Sequence, residues 1–212
     1  VLPSAGGARF LRGTYVPKRD ADGSILGVFG LILDQTELKQ AEDRLRQMAE
    51  HDALTGLINR YRLYEEIAAS AARARRHGGA RALLYLDIDK FKAINDRHGH
   101  AGGDAVLVEF SRRLRTAVRA TDTVARLAGD EFVILLEDVA AIANATHVAE
   151  TVVAAMQPPV SWNRFEIAVG TSIGIAFCED AGEEADAWLH RADEALYAAK
   201  AAGRNTWRVA DG

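Results

Sequence analysis

Apolar and polar residues near the start of the chain follow a pattern that is typical of two β-strands. Residues 10–33 contain two apolar runs, and the residues between them, Asp20, Ala21, Asp22 and Gly23, favour a turn. Because Asp-Gly is a strong turn dipeptide between strands, this pattern predicts a β-hairpin. Two strands alone are only marginally stable, so we expect the hairpin to pack on a partner sheet or a neighbouring chain.

A helix is predicted to follow the hairpin. Asp34 or Thr36 can cap its N-terminus, and Glu37 lies near the positive end of the helix dipole. Apolar residues then recur at spacings of three, four and three, as in a heptad seam: Leu38, Ala41, Leu45 and Met48. The seam covers only about two heptads. A short dimerising coiled coil and a helix docked on its own domain therefore both stay open.

From residue 51 onward, helical and strand-like patterns alternate, which predicts one α+β domain. Apolar residues at helical spacing predict helices over residues 61–76, 105–118, 141–156 and 185–202. Strand-like runs are found at residues 82–86, twice within 124–136 around Gly129 and Asp130, and twice within 165–177.

Composition and charge narrow the class of protein. The 212 residues are 49% hydrophobic and 26% charged, which suits one globular domain with an appendage. The formal net charge of −4 argues against a broad nucleic-acid-binding surface. Residues 25–33 form the longest apolar stretch, far shorter than the ~20 residues of a membrane-spanning helix, so we expect no membrane contact by this part of the protein.

The cysteine count and the first residue bear on where the protein works. Cys178 has no second cysteine to pair with, so a reducing compartment such as the cytoplasm fits best. The chain starts at Val1 rather than at Met, and we interpret it as a fragment of a longer protein. An upstream segment could tether that protein to the inner membrane.

Acidic side chains occur where two of the predicted strands end. Asp87 and Asp89 leave the run at residues 82–86, and the two-residue period of a strand puts them on one face. Asp130 and Glu131 lie at the tip of the later hairpin. If these strands are neighbours, the acids cluster and suit Mg²⁺, which binds carboxylates together with water and phosphate oxygens. If the strands are apart, the acids merely keep loops soluble.

Basic side chains that suit phosphate occur in two places. Lys90 and Lys92 follow the first acids at the predicted start of a helix, where backbone N–H groups can hold phosphate oxygens. Lys200 and Arg204 are four residues apart at the end of the last predicted helix and project from one face. Cations at a helix C-terminus also favour the helix dipole, so a structural role stays open for this pair.

Asn95 and Asp104 offer complementary hydrogen-bonding groups. A carboxylate accepts two hydrogen bonds side by side, and an amide both donates and accepts. Together they complement the edge of guanine, whereas adenine would present an acceptor to the carboxylate. Both residues also lie in turn-forming stretches of sequence, so ordinary turn and cap chemistry is the alternative.

The motifs over residues 52–205 occur in the order and spacing of a known family, and the chain resembles the diguanylate cyclase, or GGDEF, domain. They are DALTGLINR at 52–60, LDIDKFKAIND at 86–96, GH at 99–100, GD at 103–104, RLAGDEF at 126–132, SIGIA at 172–176, AD at 192–193 and GRN at 203–205. Several independent motifs in order make a chance match untenable.

This resemblance implies an α+β fold with a central, mostly antiparallel five-stranded sheet wrapped by helices, similar to the palm of nucleotidyl cyclases. It implies that two GTP molecules condense into cyclic di-GMP, with pyrophosphate released and Mg²⁺ or Mn²⁺ as cofactor. By the same resemblance Asp87, Ile88 and Asp130 bind the metal, and Glu131 joins Asp130 in the catalytic signature.

The resemblance also implies a set of substrate-binding residues. Those for guanine are Asn95, Asp104 and the nearby His100, and those for the phosphates are Phe91, Lys92, Lys200 and Arg204. Each domain of this family holds one GTP, so a complete reaction needs a homodimer with two domains face to face.

The three regions then acquire expected roles. Residues 1–33 resemble the C-terminal end of a PAS sensor domain, residues 34–50 would form a signalling and dimerisation helix, and residues 51–212 would form the cyclase domain. We therefore expect a diguanylate cyclase that is regulated by its sensor.

Two further features bear on activity and on its control. Ala128 stands where the commonest family signature has Gly, and its methyl group matters if the position needs positive φ or a close approach of nucleotide. Arg119 and Asp122 match the family's inhibitory product site, where arginine can fork onto guanine or phosphate, so we expect product inhibition. The alternative is a weak or inactive domain that binds GTP or cyclic di-GMP within a larger signalling protein.

Overall fold

The structure is a computed structural model that describes residues 2–4, 7–178 and 182–210. The backbone groups into two units, Val1–Ala49 and Glu50–Gly212. Within the described ranges, no helix has the length and apolar character needed to cross a membrane.

The first unit contains antiparallel strand pairs followed by a helix. Its described elements are β1 (Leu2–Ser4), β2 (Gly7–Arg9), β3 (Leu11–Arg19), β4 (Ile25–Asp34) and α1 (Thr36–Glu50). β3 and β4 form the hairpin predicted from the sequence. Its turn is held by Asp20, whose Oδ1 accepts the N–H groups of Asp22 at 3.0 Å and of Ser24 at 2.8 Å.

Helix α1 begins where the capping pattern predicted. The Asp34 carboxylate accepts the N–H of Thr36 at 2.9 Å, and the Thr36 hydroxyl accepts the N–H of Phe10 at 3.0 Å. The heptad seam of this helix lies on the surface of the chain, with Leu45 67% and Met48 77% exposed.

The second unit alternates helices and strands as the patterns predicted. Its described elements are α2 (Arg60–His77), β5 (Arg81–Ile88), α3 (Phe91–Ala117), β6 (Thr123–Ala128), β7 (Glu131–Leu136), α4 (Ile142–Ala155), β8 (Val160–Trp162), β9 (Phe165–Ile167), β10 (Thr171–Cys178), α5 (Ala185–Ala201) and β11 (Trp207–Val209).

Five of these strands form the central sheet, in the order β11-β10-β5-β7-β6. All neighbours are antiparallel except β10 and β11, which are parallel. The α+β class and the mostly antiparallel five-stranded sheet are therefore confirmed. Strands β8 and β9 pair only with each other and form a small separate hairpin among the described residues.

Alternate residues of β5 belong to two hydrophobic clusters, one on each face of the sheet. Leu84 and Leu86 pack with Phe110 of α3 and with residues of α4. Leu83 packs with Trp188 of α5 and with residues of α2. Because helices cover both faces, β5 is a continuous apolar run rather than an alternating one.

The range predicted for the third helix, residues 105–118, is too short. Helix α3 begins at Phe91, where the residues after Asp89 also predicted a helix start, and it continues through Asn95, Gly102 and Gly103, which are residue types common in turns. The helix bends at Gly99, where φ is 72°. Glycine tolerates that angle and so lets two helical segments follow one another without a loop. The short strands β8 and β11 were not predicted, because three residues carry too little periodicity.

Candidate active site

The acids from the two strand ends lie together. In the β5–β7 pairing, Asp87 is directly opposite Glu131. The N–H of Ile88 donates to the carbonyl oxygen of Asp130 at 3.3 Å. Directly opposed residues of an antiparallel pair project on the same face. The condition that the sequence left open, that the two acid-bearing strands are neighbours, is therefore met.

The electrostatics of Asp87 show that the neighbouring acids and a cation share its environment. Burial raises the pKa of Asp87, and the negative charges of Asp130 and Asp89 raise it further. The ion pair with Lys200, whose Nζ lies 2.8 Å from the Asp87 Oδ2, opposes this rise without cancelling it. Helix α5 thus delivers a predicted phosphate-binding cation directly to the acids.

The donor set at this edge fits a hard divalent cation that keeps other ligands. Asp87 and Asp130 supply two carboxylates, and Ile88, the residue after Asp87, supplies a backbone carbonyl group. No group of three or more His, Cys, Asp or Glu side chains suited to a metal occurs in the part of the chain described. Mg²⁺ needs no such cage, because it is commonly held by one or two carboxylates plus water and substrate phosphates.

Glu131 faces a tyrosine that the sequence analysis did not single out. Tyr85 lies on the same strand as Asp87, two residues earlier, and projects on the same face. Burial raises the pKa of the Tyr85 hydroxyl, and the carboxylate of Glu131 raises it further. Tyr85 thus keeps its proton at neutral pH and can donate a hydrogen bond to Glu131.

The turn that carries Asp130 is held by an arginine. Arg126 donates from Nε at 3.0 Å and from a terminal nitrogen at 2.8 Å to the carbonyl oxygen of Gly129. Its other terminal nitrogen lies 2.8 Å from the carboxylate of Asp52, which also accepts the hydroxyl and N–H of Thr55. Asp52 and Arg126 were part of the motifs but carried no predicted role.

Ala128 is compatible with this turn. It lies at the end of β6, and its backbone stays outside the left-handed region, whereas Gly129 has φ of 52°. The first of the two concerns raised by the sequence, a required positive φ, therefore falls on Gly129 and not on Ala128.

The predicted guanine-binding residues lie on the bent helix α3. Asn95 packs over Gly103, since a Cβ atom built on Gly103 would lie 1.9 Å from the Asn95 Oδ1 and 3.2 Å from the Phe91 Cζ. Asp104 follows and lines a cavity of about 610 Å³ together with Leu54 and Val108. Leu54, within the first motif, supplies an apolar wall that sequence reasoning missed.

The remaining phosphate-binding candidates lie at two helix ends. Lys92 is exposed in the first turn of α3, and Arg204 lies in the loop after α5. His100 is exposed just beyond the bend at Gly99. No hydrogen bond or ion pair joins Lys92 or His100 to the acids in the described ranges, so only their positions on α3 bear on their predicted roles.

Arg119 and Asp122 lie elsewhere, at the turn before β6. The carboxylate of Asp122 accepts the backbone N–H of Arg119 at 2.9 Å, so the guanidinium is not used for this contact. Both residues line a cavity of about 400 Å³ together with Arg115 and His51. None of the acids described above lines this cavity.

Comparisons with known proteins agree on one family. The family described as "Diguanylate cyclase, GGDEF domain" matches residues 49–206. An uncharacterized signaling protein of Caulobacter vibrioides is 40% identical over 192 residues, which are 88% of this chain and 24% of that protein. Diguanylate cyclase TpbB of Pseudomonas aeruginosa is 39% identical over 189 residues, 86% of this chain and 43% of that protein.

A solved structure supports the same grouping. The coiled coil and GGDEF domain of DgcB from Caulobacter crescentus, in complex with c-di-GMP, superposes with a TM-score of 0.76 at 30% identity. The match covers 82% of this chain and 92% of that one. The chain spans less than half the length of the two curated relatives that it matches.

Proposed function

The chain belongs to the diguanylate cyclase GGDEF family, and we propose that it condenses two GTP molecules into cyclic di-GMP and two pyrophosphates. One observation carries the proposal: Asp87 lies opposite Glu131, beside Asp130, and pairs with Lys200 at 2.8 Å. The proposal needs metal-binding acids close to a phosphate-binding cation, and the closeness of these side chains at one end of the β5–β7 pair supports it.

In each of two equivalent steps, a 3′-hydroxyl attacks the α-phosphorus of the other GTP, a new P–O bond forms and pyrophosphate leaves. Mg²⁺ or Mn²⁺, held by Asp87, Asp130 and the carbonyl of Ile88, would activate the hydroxyl and neutralise the leaving group. Lys200 can exchange its contact with Asp87 for one with a phosphate oxygen, because its long side chain already reaches the acids. Arg204 adds positive charge after the end of α5, and Lys92 adds positive charge in the first turn of α3.

Substrate selection falls to the bent helix α3. The Asn95 amide and the Asp104 carboxylate together offer the donor and acceptors that match guanine. Leu54 and Val108 give the cavity beside Asp104 an apolar lining that suits a nucleobase. His100 lies near this pair along the helix.

A homodimer is part of the proposal, because one domain presents one set of guanine-binding groups. The exposed seam of α1, with Leu38, Leu45 and Met48, suits pairing with a second copy of the same helix. We assign residues 1–33 to the end of a PAS sensor, residues 34–50 to a signalling helix and residues 51–212 to the cyclase domain. We propose that the cyclase works in the cytoplasm.

Feedback by the product is the last part of the proposal. The guanidinium of Arg119, left free of Asp122, can fork onto a guanine or phosphate of cyclic di-GMP. Arg115 and His51 line the same cavity and add positive or donor groups, beside the acidic Glu66.

The test is incubation of the chain with GTP and Mg²⁺, followed by detection of cyclic di-GMP. Asp130→Asn should abolish product formation, whereas Glu150→Gln, an exposed change on α4, should leave it unchanged. A dimeric sample that binds GTP and forms no product would refute the catalytic proposal and leave the nucleotide-binding alternative.

A further inference from the structure

Asp89 ties three separate segments of the second unit together. Its Oδ1 accepts the hydroxyl of Ser172 at 2.7 Å, and its Oδ2 accepts the backbone N–H of Asn205 at 2.8 Å. Its own N–H donates to the carbonyl oxygen of Gly170 at 3.0 Å. One carboxylate therefore joins the end of β5 to the start of β10 and to the loop after α5.

The loop that Asp89 holds has an unusual backbone. Gly203, Arg204 and Asn205 have φ values of 115°, 66° and 47°, so three successive residues lie in the left-handed region. Asparagine adopts that region fairly readily, but arginine rarely does so unless the surrounding structure holds it there. The N–H of Arg204 reaches the carbonyl of Ala199 at 3.3 Å, and the carbonyl of Thr206 accepts the N–H of Ile173 at 3.0 Å. The 2.8 Å bond from Asn205 to Asp89 is shorter than either.

Both oxygens of Asp89 are occupied by protein donors. This distinguishes Asp89 from Asp87, whose carboxylate faces Lys200 and Asp130. A Cβ atom built on Gly170 would lie 3.1 Å from the Asp89 Oδ2 and 3.3 Å from the Asn205 Oδ1. The backbone thus packs closely around the carboxylate and fixes its position.

We infer that Asp89 is a positioning residue for Arg204: its carboxylate holds the left-handed loop in the one arrangement that presents the guanidinium to the terminal phosphate of GTP. The inference rests on the proposed function, which gives Arg204 a role in phosphate binding, and it adds that the phosphate is the terminal one. Asp89 acts on Arg204 through the Asn205 N–H and makes no contact with the substrate itself.

The test is a double-mutant cycle of Asp89→Asn with Arg204→Ala. An asparagine keeps the size of the side chain but replaces a charged acceptor with a neutral carbonyl oxygen, so the bond to the Asn205 N–H is weakened. Binding of a non-hydrolysable GTP analogue with Mg²⁺ would be measured by titration calorimetry. We expect Asp89→Asn to weaken binding about tenfold in the parent protein. In the Arg204→Ala background the effect should be less than twofold, because the loop then carries no guanidinium to position.

A second ligand separates positioning from general damage. GMP lacks the terminal phosphate, so Asp89→Asn should change its affinity less than twofold. Equal losses for both ligands, or an equal loss in both backgrounds, would overturn the inference. If Asp89→Asn does not fold, Ser172→Ala takes its place in the cycle, because it removes one of the two donors to Asp89. We expect it to weaken binding of the GTP analogue about threefold when Arg204 is present and not when Arg204 is replaced by alanine.

The outcome is distinct from that of the proposed function. Failure of the parent protein to make cyclic di-GMP would refute the enzyme activity, whereas the binding cycle would still report whether Asp89 acts through Arg204. In an active enzyme the same variant should raise KM for GTP more than it lowers kcat.

Discussion

Replacing Gly103 with alanine should separate guanine binding from the stability of the fold. A Cβ atom at this position would lie 1.9 Å from the Asn95 Oδ1, a distance that real contacts never reach. The Asn95 side chain must therefore rotate away, and the Phe91 ring edge, 3.2 Å from the same Cβ atom, leaves little room on the other side. The amide then no longer lies where the proposed guanine site needs it.

The magnitude follows from hydrogen-bond energetics. A neutral hydrogen bond contributes a net ~1 kcal/mol, and the displaced amide can make two with guanine, so the loss is about 2 kcal/mol. That corresponds to a roughly thirtyfold weaker affinity for GTP. Alanine is favoured over glycine inside a helix by roughly 1 kcal/mol, which offsets part of the packing cost, so the melting temperature should change little.

The assay is GTP titration with a thermal melt of the same sample. Asn95→Ala serves as the matched control, and it should lose a similar amount of affinity. When Gly103→Ala is combined with Asn95→Ala, it should weaken GTP binding by no more than a further twofold, because both changes remove the same amide from the site. A full thirtyfold further loss in the double variant, or normal GTP affinity in Gly103→Ala, would refute the reasoning.

Three other changes test separate parts of the molecule. The lysine of Arg126→Lys cannot donate twice to Gly129 while it pairs with Asp52. The kcat for cyclic di-GMP formation should therefore fall about tenfold with little change in KM, and an unchanged kcat would contradict this expectation. Arg119→Ala should raise the steady-state yield of cyclic di-GMP in a time course, and identical inhibition by added product would exclude this site. Contacts with two arginines lower the pKa of Glu109 to about 2, so its stabilising contribution is present above pH 4.5 and is lost as the pH falls through 2. Glu109→Gln should lower the free energy of unfolding by about 1 kcal/mol at pH 7, and denaturant titrations should show this difference shrinking below pH 4.

The sequence predicted the elements whose signal is local. The strands of the hairpin, the limits of α2, α4 and α5 within two residues, and the Gly129 turn all follow from periodicity and turn residues. The continuity of α3 from residue 91 to residue 117 was missed because glycines such as Gly102 and Gly103 usually break helices. Here Gly103 is instead required inside the helix, where its lack of a side chain makes room for Asn95. A packing requirement of this kind cannot be read from spacing alone.

The sequence predicted that the acids cluster only if the two acid-bearing strands are neighbours, because the residues of β5 do not reveal which strand pairs with it. Long-range hydrogen bonds were harder still. Asp52 and Arg126 are 74 residues apart, and Asp89 and Asn205 are 116 apart. Each partner looks like an ordinary charged or polar residue within its own motif, and the pairing emerges only when the sheet brings the segments together.

These two long-range contacts share a physical logic that bears on how the site is built. Asp130, the proposed catalytic acid, follows the left-handed residue Gly129, and Arg204, proposed to bind phosphate, is itself left-handed. Such turns direct side chains away from a strand or helix end, but they are strained unless the surrounding structure holds them. In each case a charged residue bonds to the backbone of the turn rather than to the functional side chain. Arg126 does so from within the same motif and is itself paired with Asp52 of another motif, whereas Asp89 comes from another motif directly. The functional groups therefore keep their own donors and charges for substrate, and the rigid sheet, through Arg126 and Asp89, determines where those groups lie.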